Sequence, residues 1–543
     1  MAGNSKKFAP LKDSTKGILE RRLIGAQARE SCIIASKVLC DSIRSTLGPR
    51  GMYKMLSEEA RPFSITKDGS SVITGLIIEH PAARLIVEMA KAIEDETGDG
   101  TTSTIVLAGE LINKAESLID DGLHPVVIVE GYKKAARKAI EIARELAFEI
   151  EDDEMLKNVA NTSLKDYRSD NLALQVVRAV QLMGDEKDLS YVAIEASEGK
   201  EFGDTQLIEG SMLHNWLQPG SPKRIKNAKI CVLRNPVKLE RAGYLSNIKI
   251  STSQIESHFE KEEEILRKMV DKVRKAGANV LICMQDIDVR AQGMLSMSGI
   301  MHISKILKYG YVKHICLSTD AKMVANVWDL KPEDIGEAGC VEERKVSEEE
   351  LIFFENGKNP KACTFFIRGG TPKIIKEHKR SIYSSIHAVS SAIANPFVLP
   401  GGGAVESELA IRLKKIATSL TTKEQLAVMA FAEALEIIPK TLARNSGLDI
   451  IDTIVELTSR HQTDPNLGVY IRDDGETEIK NTLEVGIVDP LGIKAQMLSG
   501  AVEVAELILL ADGILQDKKR DPQEEQRKQS KIVAKRKKEE KEE

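Results

Sequence analysis

From Leu11 to about Ile150 apolar residues recur at three- and four-residue spacings, as in IGAQARESCIIASKVLCDSIRSTL and KKAARKAIEIARELAFEI. That period predicts a block made mostly of helix. Between Glu201 and Lys376 the texture changes. Short β-rich runs (AKICVL, NVLICM, ACTFFI) alternate with helical stretches such as EKEEEILRKMVDKVRKAG, which predicts strands covered by helices. After Gly403 long helical patterns return in KEQLAVMAFAEALEIIPKTLARN and AQMLSGAVEVAELILLA. Two blocks of like texture around a different one predict an insertion, with the two ends of the chain packing as one domain. Beyond Gln516 the segment DKKRDPQEEQRKQSKIVAKRKKEEKEE is almost wholly polar; it cannot bury a core and is expected to be a disordered or weakly helical solubilising tail.

Composition narrows the class. A chain of 543 residues with 42% hydrophobic and 29% charged residues is long enough for two or three cores and reads as soluble and globular. Lys and Arg number 77 against 82 Asp and Glu, so there is no basic excess to attract a phosphate backbone, and 4% aromatic content offers few platforms for stacking bases. No nucleic-acid partner is expected. The polar start, Met1 to Lys16, lacks the apolar stretch of a signal peptide, and no apolar run approaches bilayer length, which together predict a cytoplasmic protein without a membrane partner. The seven cysteines (Cys32, Cys40, Cys231, Cys283, Cys316, Cys340 and Cys363) form no CxxC pair and sit mostly in apolar segments. They read as small core residues in a reducing compartment.

Candidate chemistry centres on Thr97-Gly98-Asp99-Gly100-Thr101-Thr102-Ser103-Thr104, just before the apolar run IVLAGELI. Two glycines let backbone approach an anion, and amides and hydroxyls at a helix start can receive phosphate oxygens. Asp99 stands where Mg²⁺ could bridge it to phosphate. Taken alone, GDGTT fits an N-capped helix equally well. Three further turn-like fragments border apolar elements: Leu47-Gly48-Pro49-Arg50-Gly51, Thr66-Lys67-Asp68-Gly69 and Pro400-Gly401-Gly402-Gly403. Each could be an ordinary turn. There is no GxxxxGK[ST], so a P-loop nucleotide site is not supported.

Taken in order, these fragments carry a resemblance. TLGPRGMYKML, TKDGSSVI and EHPAARLIVEMAKAIEDETGDGTTSTIVLAGEL resemble the nucleotide site of chaperonins, and HPAA with GDGTT points to the thermosome-like group II branch. DTQLIEG (204–210), KNPKACTFFIRGGT (358–371), PGGGAVESE (400–408) and EQLAVMAFAEALEIIPKTLARNSGLD (424–449) extend the likeness over nearly the whole chain. The resemblance implies an α/β multidomain chaperonin fold. Its mainly helical equatorial ATP-binding domain would comprise 1–146 and 398–520, and its intermediate hinge domain 147–213 and 366–397. An α/β apical substrate-binding domain would span 214–365 with a helical lid protrusion near 237–263, followed by the charged tail 521–543. It implies ATP and Mg²⁺ as cofactors, unfolded proteins as clients, and the same or paralogous subunits as partners in a double ring. By motif, Gly48 and Pro49 would border the nucleotide and Gly98, Asp99, Gly100, Thr101 and Thr102 would cradle phosphate, with Asp99 as the Mg²⁺ ligand. Gly402 and Asp489, the latter in VGIVDPLGIK, would lie near base and ribose; Lys67 could approach phosphate, and Asp68 matches a carboxylate associated with the attacking water.

The pattern breaks at one catalytic position. In the family the helix after RGGT carries an Asp, in a stretch resembling RALxDALxVV, placed to activate the hydrolytic water. Here that position falls on Ser384, and no Asp or Glu occurs between His378 and Val405. A neutral hydroxyl is a poor general base, and losing such a base slows a reaction by roughly 10²- to 10⁴-fold. His387, three residues on, shares a helical face with Ser384 and is a candidate substitute. Tyr53 and Tyr167 also depart, standing where the family has Asp and a nucleotide-sensing Lys, with Arg168 beside the second. Three readings follow: a folding chaperone that binds ATP and hydrolyses it slowly, an active ATPase with another base, and a structural or regulatory ring subunit that binds but barely hydrolyses ATP.

Overall fold

The computed structural model describes residues 21–516 apart from 59–60, 165–168, 185–187, 240–251, 360 and 473–474. The charged tail, Tyr167, Arg168 and the central part of the expected protrusion therefore lie outside the described residues.

The largest core is all helical and draws on both ends of the chain. Helices Ala26–Arg44, Pro81–Thr97, Thr101–Asp120 and Pro125–Glu145 pack with Ala404–Ser419, Glu424–Leu435 and Leu491–Leu509 around Ile43, Ile105, Leu111, Tyr132, Phe431 and Ala501. Two of these helices start alike. His80 and His124 each precede a proline at the first helical position, and each accepts through Nδ1 the amide two residues on, from Ala82 at 3.2 Å and Val126 at 3.3 Å. The imidazole satisfies an amide that the first turn would leave unpaired, and proline gives up one that was unpaired anyway. Strand Arg21–Ile24 pairs antiparallel with Gly513–Gln516 and closes the ends of the chain together. Inside the opening helical block, Lys54–Glu58 and Arg61–Thr66 form an antiparallel hairpin, and only the second strand, in Phe63-Ser64-Ile65-Thr66, alternates apolar and polar residues.

Two further layers lie between these ends. A three-stranded sheet places Cys363–Gly369 between Val192–Glu198, parallel to it, and Gln206–Ile208, antiparallel. Helices Asp153–Leu164, Asp170–Met183 and Pro372–Ala394 pack with it in a second core. A seven-stranded mixed sheet runs in the order Met301–Ile303, Val280–Cys283, Arg224–Leu233, Gly336–Val346, Glu349–Gly357, Gly210–Leu213, with Met323–Val324 added beside Arg224–Leu233. Its central strands are buried on both faces. Ile230, Val232, Val280 and Ile282 enter one core, while Cys231, Leu233, Leu281 and Cys283 enter the other, as strand alternation requires. Helix Thr252–Lys275 covers the second face through Leu266, Met269, Val270 and Val273. The cysteines are all free, and five of the seven are buried. No helix among the described residues is long and apolar enough to cross a membrane.

Phe431 is fully buried, with its ring centroid 5.9 Å from that of Tyr132, at the contact between the two halves of the helical core. Phe431→Ala is expected to lower stability by about 3–5 kcal/mol, read as an earlier urea midpoint; an unchanged midpoint would contradict this account of the core.

Candidate functional site

In the helical core, helices Pro81–Thr97 and Thr101–Asp120 are joined by the turn Gly98-Asp99-Gly100. Helix Pro81–Thr97 ends on Gly98 at φ 61°, and helix Thr101–Asp120 starts after Gly100 at φ 81°, both in the left-handed region that side chains with a Cβ avoid. A Cβ at Gly98 would stand 2.3 Å from His387 Cγ, and one at Gly100 would stand 2.8 Å from Ile493 Cγ2. Glycine is required for both the turn and the packing. Between them Asp99 Oδ1 accepts the Gly100 amide at 2.8 Å, and Oδ2 accepts the Ser163 hydroxyl at 2.9 Å. No side chain caps the helix that follows. Its first-turn amides, at the positive end of a 20-residue helix, are thus left for an incoming acceptor.

These amides face a cavity of about 320 Å³. Gly48 and Pro49 line it near the turn, and Leu442, Val469, Ile471, Ile487 and Met497 supply an apolar wall. Strand Phe397–Pro400 pairs antiparallel with Val488–Pro490, with Leu399 opposite Asp489, and the Gly401 amide continues the contact to the Ile487 carbonyl at 2.9 Å. That ladder sets the Gly402-Gly403 turn and the Asp489 carboxylate on the same cavity wall.

Helix Pro372–Ala394 enters from the three-stranded sheet and presents Arg380, Tyr383 and Ser384 to the cavity. Ser384 donates its hydroxyl to the Gly98 carbonyl at 2.7 Å. Arg380 Nε lies 3.5 Å from Asp68 Oδ2, and its NH1 donates to Thr66 Oγ1 at 3.3 Å. The same Asp68 oxygen accepts the amide and hydroxyl of Ser71, at 2.9 and 2.6 Å, and so caps helix Gly69–Thr74. His387 packs beneath Gly98 and against the Tyr383 ring, with centroids 4.3 Å apart, and does not line the cavity. Burial pulls its pKa down, with nearby Asp99 pulling weakly the other way, so the ring is neutral at pH 7. Burial raises the Tyr383 phenol, and Asp95 and Glu94 add to the effect.

Under the apolar end lies a buried ion cluster. Lys494 Nζ sits 2.6 Å from Glu406 Oε1 and 3.0 Å from Asp489 Oδ2, and Glu406 is wholly buried. Burial alone would lower the Lys494 pKa, but Asp489 and Glu406 outweigh it and hold the ammonium well above its ordinary value.

The TCP-1/cpn60 chaperonin family matches residues 39–519. The chain belongs to that family. A thermosome subunit of Methanopyrus kandleri is 42% identical over 512 residues, covering 91% of this chain and 93% of its own length. Thermosome subunit beta of Methanothermobacter thermautotrophicus is 39% identical, with 93% and 94% covered, and a thermosome subunit of Pyrococcus abyssi is 38% identical with the same coverage. These relatives mark a group II chaperonin with mixed helix and sheet.

In this chaperonin the cavity gathers Gly48, Pro49, Asp68, Gly98, Asp99, Gly100, Thr101, Thr102, Ser384, Gly402 and Asp489. Lys67 stands apart from the lining: its Nζ donates to the Pro49 carbonyl at 3.3 Å and lies over the Tyr53 ring at 5.6 Å. Sequence reasoning missed Arg380, Tyr383, Glu406 and Lys494. Arg380 was within reach, one helical turn before Ser384 on the same face. Glu406 and Lys494 are 88 residues apart, and no local spacing joins them.

Breaking that ion pair on one side strands a buried charge. Lys494→Met, which leaves the wholly buried Glu406 carboxylate without its cation, should cost about 3–5 kcal/mol in urea unfolding, and adding Glu406→Gln should recover most of it. Because the Lys494 pKa is raised on folding, the contribution is complete at neutral pH and is lost only as pH climbs past the ordinary lysine value of 10.5. Additive losses in the double variant would refute the pairing.

Proposed function

We propose that this chain is one subunit of a double-ring chaperonin that binds Mg-ATP in the Gly98–Gly100 cavity and encloses unfolded protein, with hydrolysis slowed at Ser384. One observation carries the last clause: where the resemblance implies a carboxylate, a serine hydroxyl is already spent as a donor to the Gly98 carbonyl. The layout that goes with this reading assigns 1–146 and 398–520 to the equatorial domain, 147–213 and 366–397 to the hinge, and 214–365 to the apical domain. Ring partners would be the same or paralogous subunits, in the cytoplasm, and clients would be unfolded chains.

The residues present fit the nucleotide. Uncapped amides of Thr101, Thr102 and Ser103 would receive phosphate oxygens, and the apolar wall of Leu442, Val469 and Met497 would take the base. Asp489 would accept a sugar hydroxyl. Among the described residues no three His, Cys, Asp or Glu side chains cluster to hold a metal by themselves, so Asp99 would share Mg²⁺ with phosphate and water. Bound Mg-ATP supplies the phosphoanhydride and the charge that polarises it. Asp68 is the carboxylate left to orient water, although its Oδ2 is already engaged by Ser71 and Arg380. His387 is kept off the cavity by Gly98 and Tyr383, and does not replace the missing base. Helix Pro372–Ala394 links the site to the three-stranded sheet, so nucleotide contacts that differ between two states would shift that sheet and open or close the ring.

The same hydroxyl favours a second reading, a structural or regulatory subunit in which nucleotide acts as a conformational ligand. Single-turnover hydrolysis and ATP affinity of the assembled protein separate the readings from a full ATPase cycle. Tight binding with slow turnover is expected, with Ser384→Asp faster by roughly 10²- to 10⁴-fold and Asp99→Ala losing Mg²⁺-dependent turnover. A natural chain that turns over as fast as Ser384→Asp would end the proposal.

A further inference from the structure

A second cavity, of about 470 Å³, opens where the three-stranded and seven-stranded sheets meet. Its wall includes Arg368, on the central strand Cys363–Gly369, whose residue is only 2% exposed. The guanidinium is half satisfied. NH2 donates to the Glu198 carbonyl at 3.2 Å and to Ser347 Oγ at 2.7 Å, and the Phe366 ring lies 5.2 Å from Cζ. Nε and NH1 are buried with no hydrogen-bond partner among the described residues, which leaves three N–H bonds of a permanent cation without an acceptor there. Such a group is costly to bury unless something supplies the acceptor.

The carboxylates around the cavity do not. Glu355 is held by Arg344 through two contacts of 2.6 Å, Glu209 pairs with Arg178 at 3.3 Å, and Asp204 accepts the Glu201 amide at 3.2 Å. The remaining cation on the rim is Lys200, which is exposed and has no ion partner among the described residues. Once the Arg344–Glu355 and Arg178–Glu209 pairs are set aside, Arg368 inside and Lys200 at the mouth stand against the single carboxylate of Asp204, whose amide contact does not neutralise it, so the cavity keeps a net positive charge. Guanidinium donors prefer oxyanions, and the space exceeds the need of a halide.

We infer that this cavity is a binding site for a phosphate-class oxyanion, with Arg368 as its buried donor and Lys200 at its entrance. The site is separate from the nucleotide cavity and does not depend on the reading of that cavity. Ser347 lies between two strands of the seven-stranded sheet, so Arg368 already ties the two sheets together, and an anion on its free N–H bonds would add to that tie.

The test is calorimetric titration of inorganic phosphate into the assembled protein held in a saturating non-hydrolysable ATP analogue with Mg²⁺, which occupies the γ-phosphate position of the nucleotide cavity as well. One phosphate per subunit is expected, lost in Arg368→Gln and weakened roughly tenfold in Lys200→Ala, as for removal of one charged contact. Lys200 is a surface residue, so its variant folds and decides the matter even if Arg368→Gln does not. Absence of saturable binding to the natural chain would mean that water satisfies Arg368, and equal affinity in natural and Lys200→Ala proteins would place the phosphate elsewhere; either result overturns the inference.

Discussion

The contact on which the site depends is the approach of helix Pro372–Ala394 to the turn between helices Pro81–Thr97 and Thr101–Asp120. The His387 ring occupies the space that a side chain at Gly98 would need, and Ser384 reaches the Gly98 carbonyl. The left-handed turn, the uncapped helix start and the orientation of Asp99 all follow from that fit. Because the helix is also part of the second core, beside the three-stranded sheet, the turn cannot shift without that sheet registering it. Packed interiors transmit such displacements because they have few voids to absorb them.

Much of this was legible in the chain. Helical periodicity marked the blocks before Ile150 and after Gly403, and alternation marked the β-rich stretch between them. The glycines of GDGTT marked a place where backbone could approach an anion before a helix, and both take positive φ in the structure. What the sequence concealed was pairing over long distances. Lys494 meets Glu406 only because the Phe397–Pro400 and Val488–Pro490 strands pair and set their flanking helices side by side. The hairpin at Lys54–Thr66 escaped notice because two short strands are easily lost inside a long helical pattern. His387 shares a face with Ser384 in sequence, yet one more step around the helix turns it under Gly98 and away from the cavity.

Ser384 illustrates how binding and chemistry can part company on one scaffold. The elements that would hold a nucleotide are backbone amides, an apolar wall and Asp99, and none of them needs a base at position 384. Exchange of a carboxylate for a hydroxyl removes proton acceptance while adding a neutral clamp on the turn itself. Contacts made equally in ground and transition states give affinity without rate.

The helical core assembled from both ends of the chain has a consequence for how the protein is made. Helices near the start bury their apolar faces against Glu424–Leu435 and Leu491–Leu509, and strand Arg21–Ile24 waits for Gly513–Gln516. At ordinary elongation rates the residues between the two halves take on the order of tens of seconds to emerge. For that interval the first helices leave the ribosome with half a core missing, while the two sheets between, whose strands are all made before Ala404, can already close. A protein whose relatives are chaperonins thus passes through a nascent state with the kind of unburied apolar surface that chaperones shield.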